Sequence, residues 1–376
     1  MAGIYIHIPF CKQRCHYCDF YSHTNTELTQ RYLQALSIEM EQRKNYLPQQ
    51  ENITTLYLGG GTPSLLQKEE LAFIFSNLTT HFNLANLTEI TIEANPDDIT
   101  SDFLLAAKAV GCNRLSIGIQ SFYNEELQLL GRRHSAEQAI EAVSLAQQYG
   151  FTNISIDLMY GLPNQSMQTW QKSLEKALSL EVQHISAYHL TYEKGTPFYQ
   201  QLQAKKIKEA DEEDSILYFE ELINKLTQAG FEHYEISNFA LSGYESQHNS
   251  SYWEHVRYIG LGASAHSYNL TSRQWNKASI IGYCTGIEEN TEYFELEMLT
   301  KIEQYNDFVI TSLRTKKGVN TLQLKTLFGE QQLNYFLKQC EKYIDTNKLC
   351  AEDNFVRLTE KGIFVSDSIM EDIIEV

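Results

Sequence analysis

A chain of 376 residues that is 43% hydrophobic and 21% charged has the composition of a folded globular protein, long enough for roughly two to three domain-sized units or one large barrel with an appendage. Its 48 acidic and 30 basic residues leave a formal charge of −18, which repels phosphate backbones and argues against nucleic acid as a partner. No run of 18 apolar residues exists, and the start, MAGIYIHIPF, lacks a basic n-region and a cleavage site, so neither a membrane span nor a signal peptide is expected.

Short β-rich runs recur through the first 240 residues, at 4–8, 55–58, 89–93, 114–119, 153–158, 184–190 and 231–236. Between them lie stretches of helical spacing at 28–43, 67–79, 101–110, 135–150, 167–179 and 213–229. Strands alternating with helices predict parallel β/α units, and six or seven of them predict an α/β fold built on an open parallel barrel. The unusual polar residues follow these strands directly: the cysteines after the first, GGGTPS after the second, EANPDD after the third, QSF after the fourth, YGLP after the fifth, HLTYEKGTP after the sixth and SNFA after the seventh. In a parallel barrel these loops share one mouth, where active sites lie.

Residues 241–294 read as a connecting segment carrying HNSSYW. From 295 to 376 three helical stretches precede a short hairpin and a last helix, which predicts a small C-terminal domain of winged-helix type. Its basic cluster, Arg314, Lys316 and Lys317, reads as a solvated face rather than a nucleic-acid patch.

Seven cysteines fall as Cys11, Cys15 and Cys18 in one decade, with Cys112, Cys284, Cys340 and Cys350 scattered. That is a poor disulfide framework and fits a reducing cytoplasm with one metal site. Structural zinc takes four protein ligands, commonly in two pairs, and no second pair follows. A [4Fe–4S] cubane takes one ligand per iron, so three thiolates leave one iron open. Glycines 59–61 offer backbone N–H groups for close approach of a small polar ligand, without the Lys-Ser/Thr of a nucleotide P-loop. Glu93, Gln120, Arg132 and Asp157 stand at or beyond strand ends, where carboxylates suit ribose hydroxyls and a guanidinium suits a carboxylate. The segment 248–268 concentrates His248, His255, His266, Tyr252, Trp253 and Arg257, a set suited either to a flat anionic macrocycle or to a packed aromatic core.

C-x3-C-x2-C with Tyr17 before the last cysteine, followed by GGGTP, resembles the radical S-adenosylmethionine superfamily. YIHIPFC, GGGTPS, EANP, IQSF, DLMYGLP and the C-terminal segment resemble the branch that holds oxygen-independent coproporphyrinogen III dehydrogenase (HemN) and the HemW heme chaperones. HemN-type enzymes carry a fourth cysteine two residues after the third, where this chain has Phe20, and HNxxYW at 248–253 is similar to the HemW pattern. The resemblance implies a [4Fe–4S] cluster on Cys11, Cys15 and Cys18 whose open iron chelates S-adenosylmethionine, with reductive cleavage giving a 5′-deoxyadenosyl radical. It implies that Tyr5 and Tyr17 flank the cofactor, that Gly60, Gly61 and Thr62 meet it, and that Glu93, Gln120, Arg132 and Asp157 complete the site. It further implies heme as cargo, contacted at His248, Tyr252 and Trp253, an electron donor for the cluster, and respiratory-chain hemoproteins as acceptors, with peripheral membrane association. The alternative is oxidative decarboxylation of coproporphyrinogen III; modification of tRNA is disfavoured by the acidic balance.

Overall fold

The computed structural model describes residues 1–375. Six parallel strands open the chain: β1 (Ala2–Ile8), β2 (Ile53–Gly60), β3 (Glu89–Ala94), β4 (Arg114–Gln120), β5 (Ile154–Tyr160) and β6 (His184–His189). The helices between them are α1 (Thr29–Arg43), α2 (Lys68–His81), α3 (Ser101–Ala109), α4 (Asn124–Leu130), α5 (Ala136–Gln148) and α6 (Met167–Ser179). Local signals set their bounds. Ser135 and Ser166 cap α5 and α6 with reciprocal capping boxes, and Gly150, at φ 79°, ends the α5 turn in the left-handed region.

Strand alternation sorts the two faces of the sheet. Ile4, Ile6, Leu56, Leu58, Ile92, Leu115, Ile117, Ile154, Ile156, Leu158 and Ile185 are buried in one core with the helices. The other residues of the same strands, including Tyr5, Tyr57, Thr91, Glu93, Arg114, Ser116, Asp157 and Ser186, line a polar concavity.

After β6 come α7 (Pro197–Gln203) and α8 (Glu212–Gln228), whose first turn is acidic at Glu212, Glu213 and Asp214 and whose last turn carries Lys225, matching the helix dipole. Here the architecture departs from seven parallel units. The run at 231–236 forms β7 (Glu232–Glu235), which turns straight back into β8 (Asn238–Ala240), and β8 pairs antiparallel with both β6 and β7. The stretch SNFA, expected as a mouth loop, therefore supplies strand β8. Only two residues separate the strands, too few for a parallel crossover.

The 241–294 segment is part of the same sheet. Helix α9 (Gln247–Trp253) is followed by β9 (Arg257–Leu261), which pairs in parallel with β1. Strands β10 (His266–Tyr268), β11 (Ser272–Asn276) and β12 (Phe294–Met298) extend that side antiparallel, with α10 (Ile280–Glu288) between the last two. Among the described residues the sheet has 12 strands in the order β12-β11-β10-β9-β1-β2-β3-β4-β5-β6-β8-β7. Buried Glu39 of α1 stitches this extension on. It accepts from Arg43, the Gly262 N–H (2.7 Å), Asn276 Nδ2 (2.7 Å) and the Tyr283 hydroxyl (2.6 Å).

The C-terminal unit has its own core, centred on Tyr305, Phe308, Val309, Leu324, Phe336 and Ile369. It comprises α11 (Lys301–Leu313), β13 (Val319–Asn320), α12 (Thr321–Phe328), α13 (Glu330–Asp345), β14 (Leu349–Glu352), β15 (Phe355–Leu358), α14 (Glu360–Ile363) and α15 (Ser366–Ile373), with its strands ordered β13-β15-β14. Its 314–317 loop lies on the outer edge of β7. Ile236 N–H donates to Arg314 O at 3.2 Å, and Lys316 N–H donates to Tyr234 O at 3.0 Å. Lys316 pairs with Glu232 at 3.1 Å and Lys317 with Glu254 at 2.5 Å. The lysine side chains of the basic cluster are solvated, as composition suggests, while the main chain beneath them pairs with the β7 edge.

Candidate cofactor site

The loop after β1 carries the three cysteines, none of them in a disulfide. Two are met by donors from distant segments. Thr62 Oγ1 donates to Cys11 Sγ at 3.4 Å, and Arg132 Nη1 donates to Cys15 Sγ at 3.3 Å. Burial, with Cys15, Cys11 and Asp19 nearby, pushes the Cys18 thiol up to about 11. Among the described residues, no three His, Cys, Asp or Glu side chains close around a single ion. The donor set is three thiols on one loop, two of them already receiving hydrogen bonds, which is the chemistry of a cluster held through sulfur.

The glycine loop packs directly against this segment. Gly61 N–H donates to Ile8 O at 2.9 Å, and a Cβ on Gly61 would sit 2.7 Å from Phe10 O and 2.8 Å from Ile8 O. Gly60, at φ 108°, would bring a Cβ to 2.6 Å from the His7 ring. The glycines serve close approach between loop and first strand, and they leave the Gly60 N–H bound to Glu93 Oε2 at 3.1 Å.

Glu93 is the hinge of the site. Its other oxygen accepts from the Tyr57 hydroxyl at 2.8 Å. Burial and the Asp157 charge raise its carboxyl to about 7, against the pull of the Tyr57 and Gly60 hydrogen bonds. Asp157 is raised by burial to about 6, offset by Ser186, Arg114, Arg132 and Ser116. Arg132 also donates to Asn95 Oδ1 and Gly118 O, while its Nε is buried without a partner. An orphan guanidinium donor and two carboxylates fit a ligand bearing carboxylate, amine and ribose, whereas the Gly60 and Gly61 N–H groups are taken by Glu93 and Ile8 O. Gln120 ends β4 in the left-handed region at φ 69°, its side chain beside Gly118. Tyr17 is half-buried beside Arg132, Cys15 and Cys18, and burial raises its phenol.

The structure therefore brings Cys11, Cys15, Tyr17, Cys18, Gly60, Gly61, Thr62, Glu93, Gln120 and Arg132 to one end of the parallel sheet, with Tyr5 and Asp157 beneath them at the middle of β1 and β5. It adds residues that composition did not single out. Asn95 links Thr62 (3.2 Å) to Arg132, and its place directly after β3 was the available signal. Tyr57 fixes Glu93, and His7 joins the Tyr5 hydroxyl (3.0 Å) to Tyr21 O (2.8 Å).

The HNSSYW segment lies elsewhere. His248 is fully buried among the N-terminal halves of β1 and β2, where a Cβ on Gly3 would lie 3.1 Å from its ring. Nδ1 bonds Thr55 Oγ1 and Nε2 bonds the Tyr252 hydroxyl, each at 2.8 Å. Burial lowers its pKa to about 3. The expectation of a heme contact at His248 meets an imidazole with both nitrogens engaged; Trp253 lies under the Arg314 guanidinium, 5.6 Å from its ring centroid.

Comparison with known proteins decides the family. The family model for the radical SAM superfamily matches residues 5–177, and the HemN C-terminal domain matches 299–365. The heme chaperone HemW of Bacillus subtilis is 33% identical over 374 residues, 98% of each chain. The chain belongs to the HemW family of radical SAM proteins. A mitochondrial radical S-adenosyl methionine domain-containing protein 1 of Danio rerio is 38% identical over 70% of this chain and 60% of its own. The coproporphyrinogen III oxidase HemN of Escherichia coli has a structure similar to this one at TM-score 0.85, with 25% identity over 99% of this chain and 90% of that one. Membership in the superfamily brings a [4Fe–4S] cluster and S-adenosylmethionine, and the thiols and polar groups above are the residues here that fit them.

Proposed function

We propose that this protein is a heme chaperone that binds heme and passes it to hemoproteins, and that it carries a [4Fe–4S] cluster and S-adenosylmethionine. The single observation that carries this reading is similarity to HemW heme chaperones along essentially the whole chain. Phe20 agrees with it. The position two residues after Cys18 holds an aromatic side chain that is 65% exposed, in place of the fourth cysteine of HemN-type enzymes.

When bound, the cluster and S-adenosylmethionine supply reductive cleavage of a sulfonium. The chain's own residues bind and orient. Cys11, Cys15 and Cys18 hold the cluster; Arg132 and Thr62 donate toward the sulfurs. Arg132 Nε is available to a carboxylate and Glu93 and Asp157 to hydroxyls or an amine, while Gly60 and Gly61 seat their loop against Glu93 and β1. Acceptors are respiratory hemoproteins, reached by peripheral association with a membrane surface, and an external electron donor reduces the cluster. Among the described residues no helix is long and apolar enough to cross a membrane.

The test uses protein reconstituted anaerobically with iron and sulfide. Stoichiometric heme binding by absorbance titration, followed by transfer to an apo-hemoprotein, is expected. Failure to bind heme with the cluster intact would overturn the proposal. A second reading, oxidative decarboxylation of coproporphyrinogen III, draws on the fold shared with the Escherichia coli oxidase. It requires CO2 release from that substrate above a cluster-free control.

A further inference from the structure

The HNSSYW segment is half-buried, with His248 and Ser251 enclosed, yet it touches the two tyrosines on which the cofactor site rests. The His248 ring stacks on Tyr57 with centroids 5.1 Å apart and planes at 24°, and on Tyr5 at 6.4 Å and 28°. Tyr5 and Tyr57 stack on each other at 6.1 Å. Beyond them two arms diverge. Tyr57 donates its hydroxyl to Glu93, which also takes the Gly60 N–H. Tyr5 meets His7, which holds the backbone carbonyl of Tyr21 at the far end of the cysteine loop.

The helix presenting His248 is itself anchored. Glu89 at the start of β3 accepts from the backbone N–H of Gln247 (2.9 Å) and of His248 (3.0 Å). Thr55 and Tyr252 then fix the imidazole from opposite sides. A ring held at both nitrogens has one orientation, and that orientation sets the tilt of Tyr57. No ring nitrogen is left for iron.

We infer that His248 is a positioning residue for the S-adenosylmethionine pocket, acting through Tyr57 on Glu93 and through Tyr5 and His7 on the cysteine loop, and that it is not a heme ligand. This rests on the reading that Glu93 contacts S-adenosylmethionine. A segment that distinguishes this family in sequence then serves the floor of the cofactor site, and cargo binding is independent of its imidazole.

The experiment measures two affinities on the same reconstituted protein: S-adenosylmethionine by equilibrium dialysis, heme by absorbance titration. Glu93→Gln is the control for the site assignment and should weaken S-adenosylmethionine binding at least about tenfold, the scale of a lost charged hydrogen bond. His248→Ala should weaken it about tenfold and Tyr57→Phe about fivefold, with heme affinity unchanged within twofold. If both act through Glu93, the double variant should be little weaker than His248→Ala alone, whereas independent effects would multiply.

A pH profile separates positioning from general loosening. Glu93 is faced by Tyr57 and the Gly60 N–H from β2, Tyr5 from β1, Asp157 from β5, Tyr188 from β6 and Tyr252 from α9. The Tyr57 hydrogen bond favours the carboxylate, so the midpoint of pH-dependent binding should move upward in Tyr57→Phe and His248→Ala alike. If His248→Ala fails to fold, Tyr57→Phe and His248→Gln carry the same test. A loss of heme binding in His248→Ala with S-adenosylmethionine affinity intact overturns the inference, as does multiplication in the double variant. An unchanged affinity in Glu93→Gln removes the site assignment beneath it.

Discussion

The guanidinium of Arg132 donates to the sulfur of Cys15 at 3.3 Å across 117 residues of sequence. The same group reaches Asn95 and the Gly118 carbonyl, so one side chain joins the cysteine loop, the loop after β3 and the end of β4. Replacing it with Gln removes the charge and the fork together. Arg132→Gln should reduce S-adenosylmethionine affinity about tenfold or more, and Arg132→Lys should recover only part, because an ammonium cannot span three acceptors in one plane. Equilibrium dialysis of the three proteins checks the order.

The cysteines divide by placement: Cys11, Cys15 and Cys18 share the loop after β1, and the other four are scattered. Replacing Cys11, Cys15 or Cys18 with Ala should abolish the visible absorbance of the cluster and its iron content after reconstitution. Cys112 is buried, with its sulfur directed at Arg114 O at 3.2 Å, so Cys112→Ala should keep both. Iron and sulfide analysis per chain is the measurement, and cluster loss in Cys112→Ala would contradict the three-ligand set.

Glu93 makes stability depend on pH in an unusual direction. Its folded-state pKa is about 7 against an ordinary 4.5. Between those values the native state retains a proton that the unfolded chain has released, so stability falls as pH rises through the window and levels off above pH 7. Asp157, at about 6 against 3.8, adds a fall of the same sign at lower pH. Buried histidines such as His7 and His248, lowered to about 4 and about 3, act with the opposite sign, so the readout is the difference between two cluster-free proteins: the Tm of the parent relative to Glu93→Gln should fall from pH 5 to pH 7.5. A difference that stays constant or grows over this range would refute the assignment.

The clamp at 314–317 separates charge from backbone. Lys316 and Lys317 make exposed ion pairs, each worth about 0–1 kcal/mol, so Lys316→Ala should barely shift thermal unfolding. Lys316→Pro removes the N–H that pairs with Tyr234 O, uncovers the β7 edge and should lower Tm by several degrees. Equal effects from the two variants would mean that the charges, not the main chain, hold the domain.

The parallel units and their mouth were legible because alternation and loop chemistry repeat six times, each cue local. The hairpin at β7 and β8 was legible in principle, since Ile236 and Ser237 leave no room for a crossover, but Glu232–Glu235 resembles the earlier strands in residue type. Strand β9 was not legible. Nothing within Arg257–Leu261 says that its neighbour is β1, because which edge of an open sheet remains free is decided by the whole topology. Likewise the histidine and aromatics of 248–253 have the same composition whether they hold a macrocycle or stack on Tyr57. That the cysteine loop and Glu93 stand at strand ends was readable from spacing and strand position; Asn95 and Tyr57 make their contacts to partners on other segments, and single-chain pattern carries no record of those.

Strand β1 acquires its first neighbour from residues 53–60 and its second only from residues 257–261. On the ribosome, the segment that bears the cysteines is made well before the strand that flanks its second side. Until residues 257–283 have emerged, β1 stands as an open edge and Glu39 lacks Gly262, Asn276 and Tyr283. A fragment ending near residue 240 would keep Cys11, Cys15 and Cys18 yet leave β1 paired on one side alone, with the strand that carries their loop unsupported along its other edge.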